Sequence, residues 1–439
     1  MNTNKIIFAI LGAVILLLII MLVIQLNRST TPAQVERQSW DFNIWILDED
    51  RSDFENIIRD FKDEYTRYSN TNIGIESFSD RETYSKSIIS ALGAWIAPDI
   101  FLLNNREFSP LQNHINAISP SAVSPNDFRR DFHPIFSEDL IVDIEGTDAL
   151  IWVPVWYQVP ALYYNRRNFP RSSELTDWGR FSVEMESAAQ RSNTPPIALW
   201  VGTTISRNTA IFLSFLAQEW VWDIEDVQNT HTRQVMSLYR SLWLIGDETY
   251  IELAWSSNWV GDIEHFATWN VASILAYPRD IKKIADIWFQ SNMLFVSPFP
   301  LSEWKRDAIA IDYDYFVMQR NTSNVGLAED FMSYIASDRG QELFMELFPH
   351  QMPAHSWIAI DLEEREIHPS FNVIQRNFLR DQTELVSFWV WNNSQFSKEL
   401  THILDRENGF DSSFQILKSH ILCALEKYRD FQNLSTSCR

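Results

Sequence analysis

Asp312 and Asp314 alternate along the segment DYDYFVMQ, so on a strand both carboxylates face one side. A pair of acids on one face suits two kinds of chemistry. They can divide acid and base work in glycoside hydrolysis, or they can accept hydrogen bonds from sugar hydroxyls. Hydrolysis needs a second acid converging across a cleft, and no segment announces one, so binding ranks above catalysis. The chain contains no G-x-S-x-G elbow, no H-E-x-x-H helix, no P-loop and no G-x-G-x-x-G turn. Its nine histidines are scattered. The closest pair, His350 and His355 in HQMPAH, reads as a loop rather than a metal site. No catalytic residue, metal or cofactor is expected.

The elements that must position such residues are legible early in the chain. DFNIWIL (41–47), NIGIESF (72–78) and DIFLL (99–103) read as strands. Between the first two, Phe54, Ile57, Ile58, Phe61 and Tyr65 recur at helical spacing; between the last two, Tyr84, Ile88 and Leu92 do the same. Ser52 with Glu55, and Ser79 with Glu82, have the spacing of capping boxes. Strand–helix–strand–helix–strand over so short a span requires parallel pairing with right-handed crossovers. Ligands of such sheets sit beyond the carboxyl ends of the strands. Those ends carry Asp48-Glu49, Phe78-Ser79-Asp80 and Asn104-Asn105. The same polar residues also serve simple caps and turns, and for Ser79 and Asp80 the two readings stand level.

Residues 6–26, IIFAILGAVILLLIIMLVIQL, have one polar member, Gln25, and the length to cross a bilayer as a helix. A signal peptide would have a shorter apolar core and a small-residue cleavage site. Residues 1–5 are a short tail and 27–40 a polar tether, so the part from about residue 41 is expected to be soluble and outside the cytoplasm. The formal net charge of −22 argues against nucleic acid as a partner. Cys423 and Cys438, the only cysteines, exclude a disulfide framework; they either pair in an oxidising compartment or remain thiols.

The opening βαβαβ, with ESFSDRETYSKSIISALGAWIAPDIFLLN at its centre, resembles the first lobe of extracellular solute-binding proteins that feed ABC importers, the sugar-type family. WVPVWYQVPALYYNRRNF (152–169) resembles the segment where that family passes from first lobe to second. LTDWGRFSVEMESAA resembles its next helix, DIEHFATWNVASILAYPRDI the approach to its second-lobe ligand strand, and DYDYFVMQRNTSN its return crossing. The resemblance runs in order from residue 41 to about 350. It implies a two-lobed α/β fold of the periplasmic-binding-protein kind behind an N-terminal transmembrane helix. Lobe 1 would comprise 41–156 with about 316–360, and lobe 2 would comprise 157–312 with about 361–439. Crossings are expected near 156–160, 312–316 and 360–368.

The resemblance further implies capture of a small solute, a sugar or oligosaccharide, between lobes that close on it for delivery to permease subunits. Glu49, Asp80, Asn104, Gln158, Arg279 and Asp314 are the candidates for hydrogen bonds to it. Phe78, Tyr157, Trp255, Tyr277 and Tyr313 are the candidates for stacking on its C–H faces, with core burial as the plain alternative for each. Gln158 stands where some relatives carry a carboxylate, and Tyr277-Pro278-Arg279 departs from an aromatic after Gly-Pro, so specificity stays open. A cell-surface carbohydrate hydrolase and a non-transport sensing module are the rival functions.

One compositional feature fits neither lobe. Glycine numbers 11 and tryptophan 18, whereas ordinary usage would give roughly 31 glycines. Trp95 and Trp269 occupy turns that are small and glycine-containing in the family that this chain resembles. Trp152, Trp156, Trp389 and Trp391 are also oddly placed. Some bacteria read UGA as glycine where other code tables read tryptophan, and glycine plus tryptophan total 29 here. Either many of these tryptophans are misread glycines, or the protein uses aromatic platforms on sugars. On the first reading, Trp95, Trp156, Trp269, Trp389 and Trp391 should be more exposed or strained than Trp45 and Trp178. Allowing glycine at every tryptophan still produces none of the catalytic motifs above.

Overall fold

A computed structural model describes residues 40–47, 51–79, 81–105, 109–165, 167–169, 177–181, 183–184, 187, 206–219, 230–244, 262–287, 293–301, 308–349, 351–356 and 384–386, with 412, 415 and 419. Residues 6–26, both cysteines, Trp389 and Trp391 lie outside these. Among the described residues, no helix is long and apolar enough to cross a membrane.

The predicted opening is present. Strands β1 (Phe42–Leu47), β2 (Ile73–Phe78) and β3 (Ile100–Asn104) alternate with helices α1 (Arg51–Glu64) and α2 (Arg81–Gly93). β1 pairs parallel with both other strands. The apolar stripe of α1 is buried at Phe54, Ile57, Ile58 and Phe61, each worth about 1.5–3 kcal/mol of burial. The first capping box is out of register. α1 begins at Arg51, ahead of Ser52, and Glu55 instead meets Arg51 Nε at 2.9 Å. The Ser79–Glu82 box rests on Asp80 and on the Glu82 side chain, which lie outside the described residues.

The chain then forms β4 (Ile115–Asn116), α3 (Pro125–Asp131), α4 (Pro134–Leu140), the hairpin β5 (Ile141–Ile144) and β6 (Thr147–Leu150), and β7 (Trp152–Gln158). A second body of structure follows: β8 (Ala161–Asn165), α5 (Ser206–Gln218), α6 (Thr230–Leu244), α7 (Asp262–Ala267), β9 (Ser273–Ala276), α8 (Asp280–Asp286), β10 (Leu294–Ser297) and β11 (Ala308–Ala310). Its three-stranded sheet has the order β10-β8-β9, antiparallel throughout. Beside it α5 meets β11, whose Ala310 N–H donates to Ser214 Oγ at 3.0 Å. The chain returns through β12 (Asp312–Gln319), α9 (Val325–Ala336), α10 (Asp338–Leu347) and β13 (Met352–Pro353); β14 (Glu384–Val386) pairs with β11.

β12 joins the halves of the first sheet, whose order is β13-β7-β12-β3-β1-β2 with β4 also on β12. It is antiparallel to β7 on one side and β3 on the other. All eight of its residues and all seven of β7 are buried, because helices cover both faces. One face receives Phe54, Phe331, Phe344 and Phe348 against Phe316 and Trp156. The other receives Phe136 of α4 against Tyr157 and Tyr313. In β7 the register shifts: Asp314 opposes Trp156 but Tyr315 opposes Pro154, leaving Val155 as the extra residue of a bulge. Trp152 and Trp156, four apart, therefore face opposite sides. Trp152 stacks on Tyr315 with centroids 4.3 Å apart, while Trp156 meets Phe344 and Phe348.

Two histidines tie β13 to the α3–α4 turn. His133 N–H donates to the Ala354 carbonyl at 3.2 Å, and His355 forms a bridge with Phe132. Both imidazoles are pushed below their ordinary pKa, His133 by burial, His355 by burial that outweighs the opposing pull of Asp338. The Nδ1 atoms of both are buried with no hydrogen-bond partner, so a proton added there would lack an acceptor. A histidine neutral when folded takes up a proton on unfolding once the pH drops below its unfolded pKa of about 6.5. The unfolded state then binds more protons, so stability is complete above that pH and falls below it. Melting temperature should therefore decline from pH 7.5 to 5.5, and His133→Asn with His355→Asn should flatten that decline. An unchanged slope in the double variant would remove both residues from the explanation.

Candidate functional site

The two sheets meet chemically where β7 ends and β12 begins. Cα pairing sets Gln158 opposite Asp312 and Trp156 opposite Asp314. Alternation then turns Trp156, Gln158, Asp312 and Asp314 to one side and Tyr157 and Tyr313 to the other. Asn104, at the carboxyl end of β3, pairs with Asp314 from the other flank. Its amide donates to both acids, to Asp314 Oδ1 at 2.9 Å and to Asp312 Oδ1. The Trp156 indole N–H donates to Asp314 Oδ2 at 2.9 Å.

The second sheet contributes the turn after β9. Tyr277 OH donates to Asp312 Oδ2 at 2.8 Å, and the Arg279 N–H donates to Gln158 Oε1 at 3.3 Å. The turn itself is braced by Asp280, whose Oδ2 accepts the Tyr277 N–H at 2.9 Å. The Arg279 guanidinium lies over the Tyr277 ring, 5.1 Å from its centroid. Burial alone would lower the Arg279 pKa, but Asp312, Asp280, Tyr277 and Asp314 outweigh it and hold the group above its ordinary value. Gln158 also donates to Gln351, next to β13. The cluster thus presents carboxylates, amides, a phenol and one cation, drawn from β3, β7, β12 and the β9–α8 turn. Among the described residues, no three His, Cys, Asp or Glu side chains converge as a metal site.

Five of the sequence candidates, Asn104, Gln158, Tyr277, Arg279 and Asp314, fall in this one cluster. Tyr157 and Tyr313 lie across the sheet from it. Tyr313 OH donates to Asp139 at 2.7 Å, and both rings contact Phe136. Phe78 is half-buried between Trp45 and Tyr84, at 5.2 and 5.1 Å. Glu49, Asp80 and Trp255 lie outside the described residues. Asp312 stands out in the sequence only as half of an acid pair. Trp156, Gln351 and Asp280 were not candidates at all. For Asp280 the signal was available, because an Asp three residues after Tyr277 and at a helix start can close a turn; for Gln351, far along the chain, no local signal exists.

The family pattern of bacterial extracellular solute-binding proteins matches residues 100–354, a span that includes every member of the cluster. No curated protein matches the chain in sequence. Solved structures do match in fold. Maltose-bound MalE3 of T. maritima is 13% identical with a TM-score of 0.67, over 87% of this chain and 99% of that one. The cyclic α-maltosyl-1,6-maltose binding protein of Arthrobacter globiformis is 13% identical with a TM-score of 0.67, over 88% and 99%. An ABC transporter solute-binding protein of Thermotoga lettingae, bound with α-D-tagatose, is 14% identical with a TM-score of 0.65, over 88% and 99%. The two sheets described above are accordingly the two lobes of a periplasmic-binding-protein-like α/β fold. With its matched span covering more than half its length, the chain belongs to the bacterial extracellular solute-binding protein family.

Proposed function

We propose that this protein captures a sugar or short oligosaccharide outside the cytoplasm and hands it to the permease of an ABC importer. The observation that carries the reading is the bonding of Tyr277 and Arg279, from one sheet, to Asp312 and Gln158, from the other. A solute held there touches both lobes and favours the arrangement that brings them together. Carboxylates and amides suit sugar hydroxyls, and the Tyr277 ring suits a sugar's C–H face. Asn104, Gln158, Tyr277, Arg279, Asp312 and Asp314 form the centre of the site on this reading. On the same reading Glu49, Phe78, Asp80 and Trp255 also bind the solute, and Tyr157 and Tyr313 back the cluster from the opposite face of the sheet.

The lobes divide near the bounds read from the sequence, 41–156 with about 316–360 and 157–312 with about 361–439, except that Gln158 and Asp312 go with the first sheet, in which β7 and β12 pair. Residues 6–26 anchor the protein in the membrane through a single apolar helix. Catalysis is not part of the proposal, because Asp312 and Asp314 are both engaged by Asn104 rather than set apart across a substrate.

Maltose, malto-oligosaccharides and α-D-tagatose, titrated into the purified chain, should include at least one that raises the melting temperature in proportion to the logarithm of its concentration. Asp312→Ala should weaken that binding about 10-fold or more, the scale of a hydrogen bond to a charged group. The sugar should be recovered uncut, with no new reducing ends. Absence of any shift across sugars, with shifts from amino acids or peptides, would replace the ligand class. Cell fractionation tests the anchor: the full chain should sediment with membranes, and deletion of residues 6–26 should release it.

A further inference from the structure

Among the described residues, three other than glycine have a left-handed backbone: Trp95 at φ +59°, Glu145 at +54° and Trp269 at +67°. Glu145 has an evident reason. With Gly146 at φ +82° it forms the two-residue turn of the β5–β6 hairpin, where positive φ at both positions matches strand twist.

The tryptophans share a different setting. Each ends a helix by the same pair of bonds. Trp95 N–H donates to Leu92 O at 3.2 Å, and Ile96 N–H to Ala91 O at 2.9 Å. Trp269 N–H donates to Phe266 O at 3.0 Å, and Asn270 N–H to His265 O at 2.8 Å. These are the 5→2 and 6→1 bonds of the Schellman closure, whose left-handed residue is usually glycine because it lacks a Cβ. A side chain there lowers the folding equilibrium roughly 5- to 30-fold per site.

At position 95 no packing offsets that cost. Trp95 is 76% exposed beside Ile96 at 46%. Trp269 is partly buried, so at that position the left-handed backbone alone marks the site. Other described tryptophans rest their rings against packed neighbours. Trp178 is buried among Phe181, Phe215 and Phe299. The Trp40 ring lies so close on Gly74 that a Cβ there would fall 1.7 Å from it. Trp156, grouped with the suspects on sequence, is fully buried and bonded to Asp314, so the structure gives it no strain to explain. Among the described residues the anomaly is confined to the two helix ends, and the sequence has 18 tryptophans against 11 glycines.

From these coincident observations we infer that positions 95 and 269 are glycine in the protein as its cell makes it, each encoded by UGA read there as glycine. The inference is independent of what the site binds. It predicts UGA at both codons. Peptides from the native organism should carry the mass of glycine at 95, in the span between Lys86 and Arg106, and at 269, in the span between Arg240 and Arg279. UGG at either codon, or tryptophan in either native peptide, overturns it. A second measurement separates these sites from ordinary core positions. Trp95→Gly and Trp269→Gly should each raise resistance to denaturant, by the 5- to 30-fold of a relieved left-handed residue, while Trp178→Gly should lower it. Loss of stability from the first two comparable to that from the third would likewise count against glycine there.

Discussion

Two carboxylates buried on one strand constrain much of what surrounds them. Asp312 and Asp314 are nearly inaccessible to water, and a buried charge is tolerable only with donors close by. β12 cannot supply those donors, since its own amides are committed to its neighbours. They come from β3 through Asn104, from β7 through Trp156, and from the other lobe through Tyr277, with Arg279 adding the compensating charge. Separately placed segments must therefore converge on the start of β12. Four of the family's crossing and strand-end segments are held at one point by the need to satisfy two acids.

The order of the sheet serves that convergence. β12 runs antiparallel between β7 and β3, so the start of β12 lies beside the ends of both partners. Most of the polar side chains collect at that edge, while the strands beyond it are largely apolar and covered on both faces. β13 closes the far side of β7, with His355 two residues beyond it and Gln351, just before it, reaching Gln158. Packing and polar network thus share the strands without competing for the same positions.

How much of this could be read from residues alone depended on whether burial was one-sided. α1 has a buried and an exposed face, so its period is visible and its extent was legible. β7 and β12 are buried throughout, which erases the apolar–polar alternation that marks a strand; β7 is legible only through the family resemblance, β12 also through its alternating acids. Asn104 was legible as the polar last residue of an apolar strand, and Tyr277 through the family resemblance, just past β9. Trp156 and Gln351 were not, because their roles rest on partners 158 and 193 residues away. The assignment of Tyr157 and Tyr313 beside Gln158 and Asp314 followed sequence adjacency, yet neighbours on a strand point apart.

The bulge at Val155 has a consequence for how this strand can change its length. Every other residue of β7 keeps its facing by counting from a paired neighbour, so losing one of them, such as Val153, turns the next side chain to the wrong side. Val155 is the extra residue opposite no partner of its own. Its loss would restore regular pairing and leave Trp152, Trp156, Tyr157 and Gln158 each on the face it now occupies. Position 155 is thus the strand's expansion joint, the place where relatives can differ by one residue while the site half and the core half stay in phase.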